Sequence, residues 1–210
     1  MVYLSGIVLI CCLVASFARR YPLHKKGALG QPLPNPVGFL VPAVLFTVFS
    51  GLRNNIGDTV YTIHSYNLLA DNNPRPSLGS REYLYYTMIH YLREATDNPQ
   101  WMILIAAVFS CVPVIYILYK YSVPYELGIF LFVGTAYYTF SFNGMRQYMA
   151  AGILLMGSRY LFSQDKRAWL KYFAVVLIAF SIHSSAVIMI PVFFIVRRKA
   201  WSVTTFAVVF

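Results

Sequence analysis

Long apolar runs separated by short polar links dominate the chain. A bilayer core of about 30 Å is crossed by roughly 20 helical residues, and runs near that length predict spanning helices over 1–17, 37–52, 101–119, 125–142 and 147–162. A longer run covers 170–196, and a final one, 201–210, ends with the chain. Nothing in that last run marks a natural stop, so the chain reads as an N-terminal portion of a longer protein. Between the second and third spans lies a polar stretch, 53–100, expected to be a long loop outside the membrane. Asp71-Asn-Asn-Pro-Arg-Pro76 within it is rich in helix breakers. Beyond that point Tyr83, Tyr86, Ile89 and His90 recur at helical spacing, which predicts an amphipathic helix over 80–95 lying at the outer interface. Ser80 is its expected N-cap, with Tyr83 where a capping box would carry an acid. The expected fold class is all-α: one membrane domain over 1–210, a polytopic transmembrane helical bundle.

Composition strengthens that reading. Hydrophobic residues make up 59% of the chain and charged ones 11%, which excludes an ordinary soluble domain. The net charge of +10 does not imply a nucleic-acid partner, because the Lys and Arg residues sit mostly in short links between apolar runs. One set of links carries twelve of them: Arg19, Arg20, Lys25, Lys26, Lys120, Arg159, Lys166, Arg167, Lys171, Arg197, Arg198 and Lys199. The other set carries five, Arg53, Arg75, Arg81, Arg93 and Arg146. The positive-inside bias makes the first set cytoplasmic and places the N-terminus outside. The first run is not a signal peptide by its charge order, since its basic residues follow the apolar core.

The same bias decides how to read 170–196. A single tilted span would carry Arg197, Arg198 and Lys199 outside. A hairpin of two short helices, 170–182 and 184–196, keeps both basic flanks inside and puts His183 at its tip. Each arm is then about 20 Å long, so the tip is recessed and needs a protein-lined cavity. Cys11, Cys12 and Cys111 lie in apolar runs and form neither a disulfide framework nor a metal spacing. The histidines make no metal pair, and no motif calls for a cofactor.

Three polar segments fall on the outer side. Arg146 and Gln147 follow an Asn143-Gly144 break between two apolar runs. An Arg there is costly unless paired, cavity-facing or functional, and a guanidinium fork at a helix N-terminus suits phosphate. The plain alternative is an Arg snorkelling to headgroups. Arg53 and Asp58 are separated by Asn-Asn-Ile-Gly, and a turn at Gly57 would fold the carboxylate back beside the guanidinium, as a site or as a surface ion pair. His183-Ser184-Ser185 sits at the hairpin tip, either as a packing histidine or as an acid–base group. Asp58 and His183 are both candidates for a general base, and the sequence leaves the choice open.

These segments, in this order, resemble the EpsG family of Wzy-like polysaccharide polymerases. The resemblance rests on Arg53 with Gly57, Asp58, Tyr61 and Tyr66, on the run from Asn143 to Gln147, and on His183 to Ser185. It implies polymerisation of oligosaccharide repeat units carried on undecaprenyl pyrophosphate into exopolysaccharide or capsule, at the outer face of a bacterial inner membrane. Under it, Asp58 and His183 become candidate catalytic groups, and Arg53, Arg146 and Gln147 bind the pyrophosphate. Asn143, Gly57 and Ser184 support them. The implied partners are a lipid-linked oligosaccharide, the membrane, and flippase and chain-length regulator proteins, with no nucleic acid and no metal. Two other classes remain open: a transporter or flippase component for an anionic lipid-linked glycan, and a multi-span lipid-phosphate-sugar glycosyltransferase.

Overall fold

The computed structural model describes residues 2–23, 30–77, 79–163 and 165–198. The expected run 201–210, with Lys25, Lys26 and Lys199, lies outside the described residues. Within them the chain is all-helical, without a strand. The helices are α1 (Val2–Arg20), α2 (Val37–Gly51), α3 (Thr59–Leu68), α4 (Tyr83–Ala95), α5 (Gln100–Tyr121), α6 (Tyr125–Gly134), α7 (Tyr137–Phe140), α8 (Met145–Leu161), α9 (Ala168–Ile182) and α10 (Met189–Val196), with a 3-10 turn at Ser184–Ile188. Among the described residues, α1 and α5 are long and apolar enough to cross a membrane. Helices α2, α6 and α9 are apolar but shorter.

Helix α5 is the central post, packed between α2 and α8, and α8 in turn carries α9. Glycine makes the α5–α8 approach possible. A Cβ at Gly152 would collide with the Phe109 carbonyl oxygen, so any larger residue would push the helices apart. On the other side, α1 packs on α2 and α6 around Phe46, Ile115, Ile129 and Tyr138. Phenols buried there must find acceptors, and they take main-chain carbonyls of neighbouring segments. Tyr119 Oη donates to Pro34 O at 2.6 Å, Tyr125 to Gly38 O at 2.7 Å and Tyr138 to Phe46 O at 2.8 Å.

Several elements depart from expectation, each for a local reason. The run 125–142 is not one helix: α6 ends at Gly134, and Ala136 takes φ 63 before α7 begins. The bend swings Tyr138 into the core against Phe46 and Phe132. The stretch 53–100 holds a helix, α3, that apolar spacing did not predict. Helix α4 starts at Tyr83 rather than at Ser80, because Glu82 stands at its cap position in the left-handed region, φ 56. Helix α8 begins at Met145, which puts Arg146 and Gln147 in its first turn.

At His183 the backbone is extended, φ −148 and ψ 124, and the chain reverses. Tyr172, near the start of α9, stacks on Phe193 of α10 with ring centroids 5.2 Å apart. Arg197 returns far enough to donate to Ser163 O, just beyond α8, at 3.1 Å. The apex of this reversal, the start of α8, the end of α2, and helices α3 and α4 therefore share one end of the bundle.

Candidate active site

The site begins where α2 ends. Arg53 is 6% exposed, and the protein engages its guanidinium at two nitrogens and on one face. Nη1 donates to Ser50 O at 2.7 Å and to Ser50 Oγ at 2.6 Å, Nε donates to Thr59 Oγ1 at 2.9 Å, and the cation lies 4.8 Å from the centre of the Phe142 ring. Arg53 thereby ties the end of α2 to the start of α3 and to the segment that precedes α8. It does not line the cavity described below.

Gly57 and Asp58 continue that junction. Gly57 has φ +62, and a Cβ there would meet Phe142 O at 2.6 Å and Asn143 Oδ1 at 2.5 Å, so position 57 excludes any side chain. The close approach lets Asp58 N donate to Phe142 O at 3.1 Å and lets Asp58 Oδ2 accept from Gly144 N at 2.5 Å. The expected Arg53–Asp58 ion pair does not form among the described residues. The carboxylate turns instead to the main chain that opens α8, where an acid complements free N–H groups and the helix dipole.

Glu82 is the centre of the arrangement. Its side chain is 9% exposed, and both oxygens are engaged. Oε2 accepts from Arg146 Nη1 at 2.6 Å, while Oε1 faces His183 Nδ1 at 2.7 Å and accepts from Ser184 N at 3.2 Å. Holding a glutamate in the left-handed region has a conformational cost. The turn puts the carboxylate between α8 and the His183 apex, rather than at the N-terminus of its own helix. A carboxylate accepts only, so a hydrogen on His183 Nδ1 faces it, and Nε2 is the ring nitrogen that Glu82 does not engage.

Arg146 is only partly consumed by this pairing. Its side chain is 41% exposed, Nη1 also reaches Tyr86 Oη at 3.4 Å, and the cation sits 5.2 Å from the Tyr85 ring centre. Among the described residues, Nη2 and Nε make no hydrogen bond. Burial pushes the Tyr85 phenol up to about 12 against the opposing pull of Arg146, so Tyr85 is a neutral ring beneath the cation.

These groups border a cavity of about 420 Å³ between α3, α4 and the start of α8. Of the residues expected from sequence, Asp58, Arg146, Gln147 and His183 line it. Gly57 and Asn143 form the junction behind it, Ser184 contributes through its main-chain N–H, and Arg53 stands outside the lining. Among the described residues no cluster of three metal-ligating side chains occurs. Glu82 lies in no motif of the sequence. The available signal was Arg146 itself, a charge needing a partner in a chain with seven acids, five of them in 53–100.

No curated protein and no solved structure matches this chain. The stretch 37–210, which contains every residue of the site, matches the EpsG family, so the chain belongs to the EpsG family, a family of membrane proteins.

Proposed function

We propose that this protein polymerises oligosaccharide units carried on a polyprenyl pyrophosphate, as a membrane glycosyltransferase whose site faces the outer side of the membrane. The observation that carries the reading is the single buried carboxylate, Glu82, holding a half-open guanidinium and a histidine at one cavity. In the transfer, the acceptor sugar hydroxyl attacks the anomeric carbon of the donor unit. The new glycosidic bond forms as the bond from that carbon to the pyrophosphate oxygen breaks. The hydroxyl proton passes to His183 Nε2, and Glu82 stabilises the imidazolium through Nδ1, the division of labour seen in carboxylate–histidine pairs. Negative charge accumulates on the departing pyrophosphate. The unbonded edge of Arg146, Gln147, and the free N–H groups of the first turn of α8 are placed to receive it. Asp58 holds that turn in place through Gly144.

A second reading, transfer of one sugar from a lipid monophosphate, gains from the presence of two acids, Asp58 and Glu82, at one site. It loses because both Glu82 oxygens are already occupied. Purified protein in lipid nanodiscs, given a synthetic polyprenyl-pyrophosphate oligosaccharide, should build a polymer ladder. His183→Gln should slow that ladder about 10²–10⁴-fold. Turnover only with a lipid-monophosphate sugar would support the second reading, and binding of the donor without turnover would support transport.

A further inference from the structure

The cavity has two chemically different ends. Asp58, Arg146 and His183 gather where α3, α4 and α8 begin. Away from that point the lining includes Tyr61, Thr62 and Ser65 from α3, Leu69 just beyond it, and Ile89 from α4, none of them charged, while Tyr86, whose hydroxyl meets Arg146, stands between the two ends. The α3 positions recur at i, i+3, i+4 and i+7 from Asp58, so one stripe of the helix faces inward. Tyr66 Oη donates to Thr96 O at 2.9 Å, which ties the far end of α3 to the end of α4 and keeps the stripe facing its partner.

The hydroxyls of this stripe contrast with several others on the helices. Thr87, Ser110, Thr135, Ser158 and Ser181 each turn the hydroxyl back to a carbonyl of the preceding helical turn, at 2.7 Å in every case. Among the described residues, the side-chain hydroxyls of Thr62, Ser65 and Tyr61 make no hydrogen bond, and Tyr61 is 74% exposed. Unclaimed hydroxyls beside aromatic rings fit one kind of ligand, a ring with polar hydroxyls on its rim and C–H groups on its face.

We propose that this end of the cavity is a saccharide subsite for an uncharged pyranose unit, held by the Tyr61 and Tyr86 rings and hydrogen-bonded by Thr62 and Ser65. It rests on the polymerase reading for its place in the reaction, where it seats the sugar adjoining the reacting centre. The distance along α3 from Asp58 to Ser65 is about 10 Å, a span that a disaccharide fills. With no cation along the stripe, a uronate carboxylate would be desolvated there without a partner, so the subsite selects against acidic sugars.

The test is saturation-transfer NMR on the nanodisc-embedded protein with two probes, cellobiose and digalacturonate. Wild type should show transfer to cellobiose and none to digalacturonate. Ser65→Ala and Thr62→Ala should each weaken cellobiose binding about two- to tenfold. Tyr61→Ala should weaken it further, and Tyr61→Phe should keep most of it. Tyr61 is exposed, so its replacement leaves the fold intact, as circular dichroism will confirm. Equal transfer to digalacturonate, no transfer to cellobiose, or cellobiose binding unchanged in all of the alanine variants would overturn the subsite. Polymerisation of the lipid-pyrophosphate donor is measured on the same wild-type sample. Cellobiose binding that fades in the variants while wild type builds no polymer would leave the subsite standing and remove the polymerase reading.

Discussion

Two arginines about one helix end apart serve different purposes, and their surroundings show why. Around Arg53, the end of α2, the start of α3 and the segment before α8 supply two oxygens of Ser50, one of Thr59 and the face of Phe142, at 6% exposure. Around Arg146, the α3–α4–α8 side supplies one carboxylate and one phenol, and leaves an edge of the guanidinium to the cavity. A buried cation held at two nitrogens and covered on one face by an aromatic ring is part of the framework. One held on a single side is positioned for something else. The sequence alone presents both as outer-side arginines near an Asn and a Gly, so only the hydrogen-bond census separates them.

The contrast breaks most severely at Glu82. Removing the Glu82 carboxylate frees both Arg146 and His183, and because the Arg146 side chain is 41% exposed the loss falls on positioning more than on stability. Glu82→Gln keeps the shape but lets an amide face either a donor or an acceptor. Polymerisation should fall at least as far as in His183→Gln, while the protein still inserts and accumulates. A Glu82→Gln variant with near-normal polymer would detach the carboxylate from the chemistry.

Next come the arginines themselves. Arg146→Lys keeps charge but not the fork, so turnover should drop about 10²-fold or more with little change in thermal stability. Arg53→Lys should do the reverse, lowering stability by about 1–3 kcal/mol through unsatisfied Ser50 and Thr59 groups and reducing activity only as far as folding suffers. Thermal unfolding in nanodiscs beside the polymerisation assay reads both quantities. If the two substitutions behave alike, the distinction between framework and site fails.

The smallest effect belongs to Asp58. Asn retains an oxygen that can accept from Gly144 N, so Asp58→Asn should cost no more than the range of a lost cap, about 0.5–2 kcal/mol, expressed mainly as weaker donor binding. Abolished turnover with donor binding intact would instead make Asp58 the base.

How much was legible in advance follows the same physics. Arg146 stood out because a charge amid apolar runs needs a reason. His183 stood out because basic residues flank its run on both sides. Helix α3 was invisible to apolar periodicity since its inward stripe carries hydroxyls toward a cavity instead of methyl groups toward a core. Glu82 was hidden twice. Its left-handed backbone displaced the expected Ser80 cap, and its partners lie 64 and 101 residues away. The Arg53–Asp58 pairing was the natural local guess, but the main-chain N–H of Gly144 competes better because Gly57 brings that segment within reach.

The central claim is that Glu82 acts through His183 and Arg146 as one unit. A double-mutant cycle on the polymerisation rate tests it most directly, comparing Glu82→Gln, His183→Gln and the combination at saturating donor. Groups that act together give losses well short of additive. The account predicts a double variant little slower than the worse single variant. A double variant whose loss is the full product of the two single losses would show that Glu82 and His183 work independently, and would contradict it.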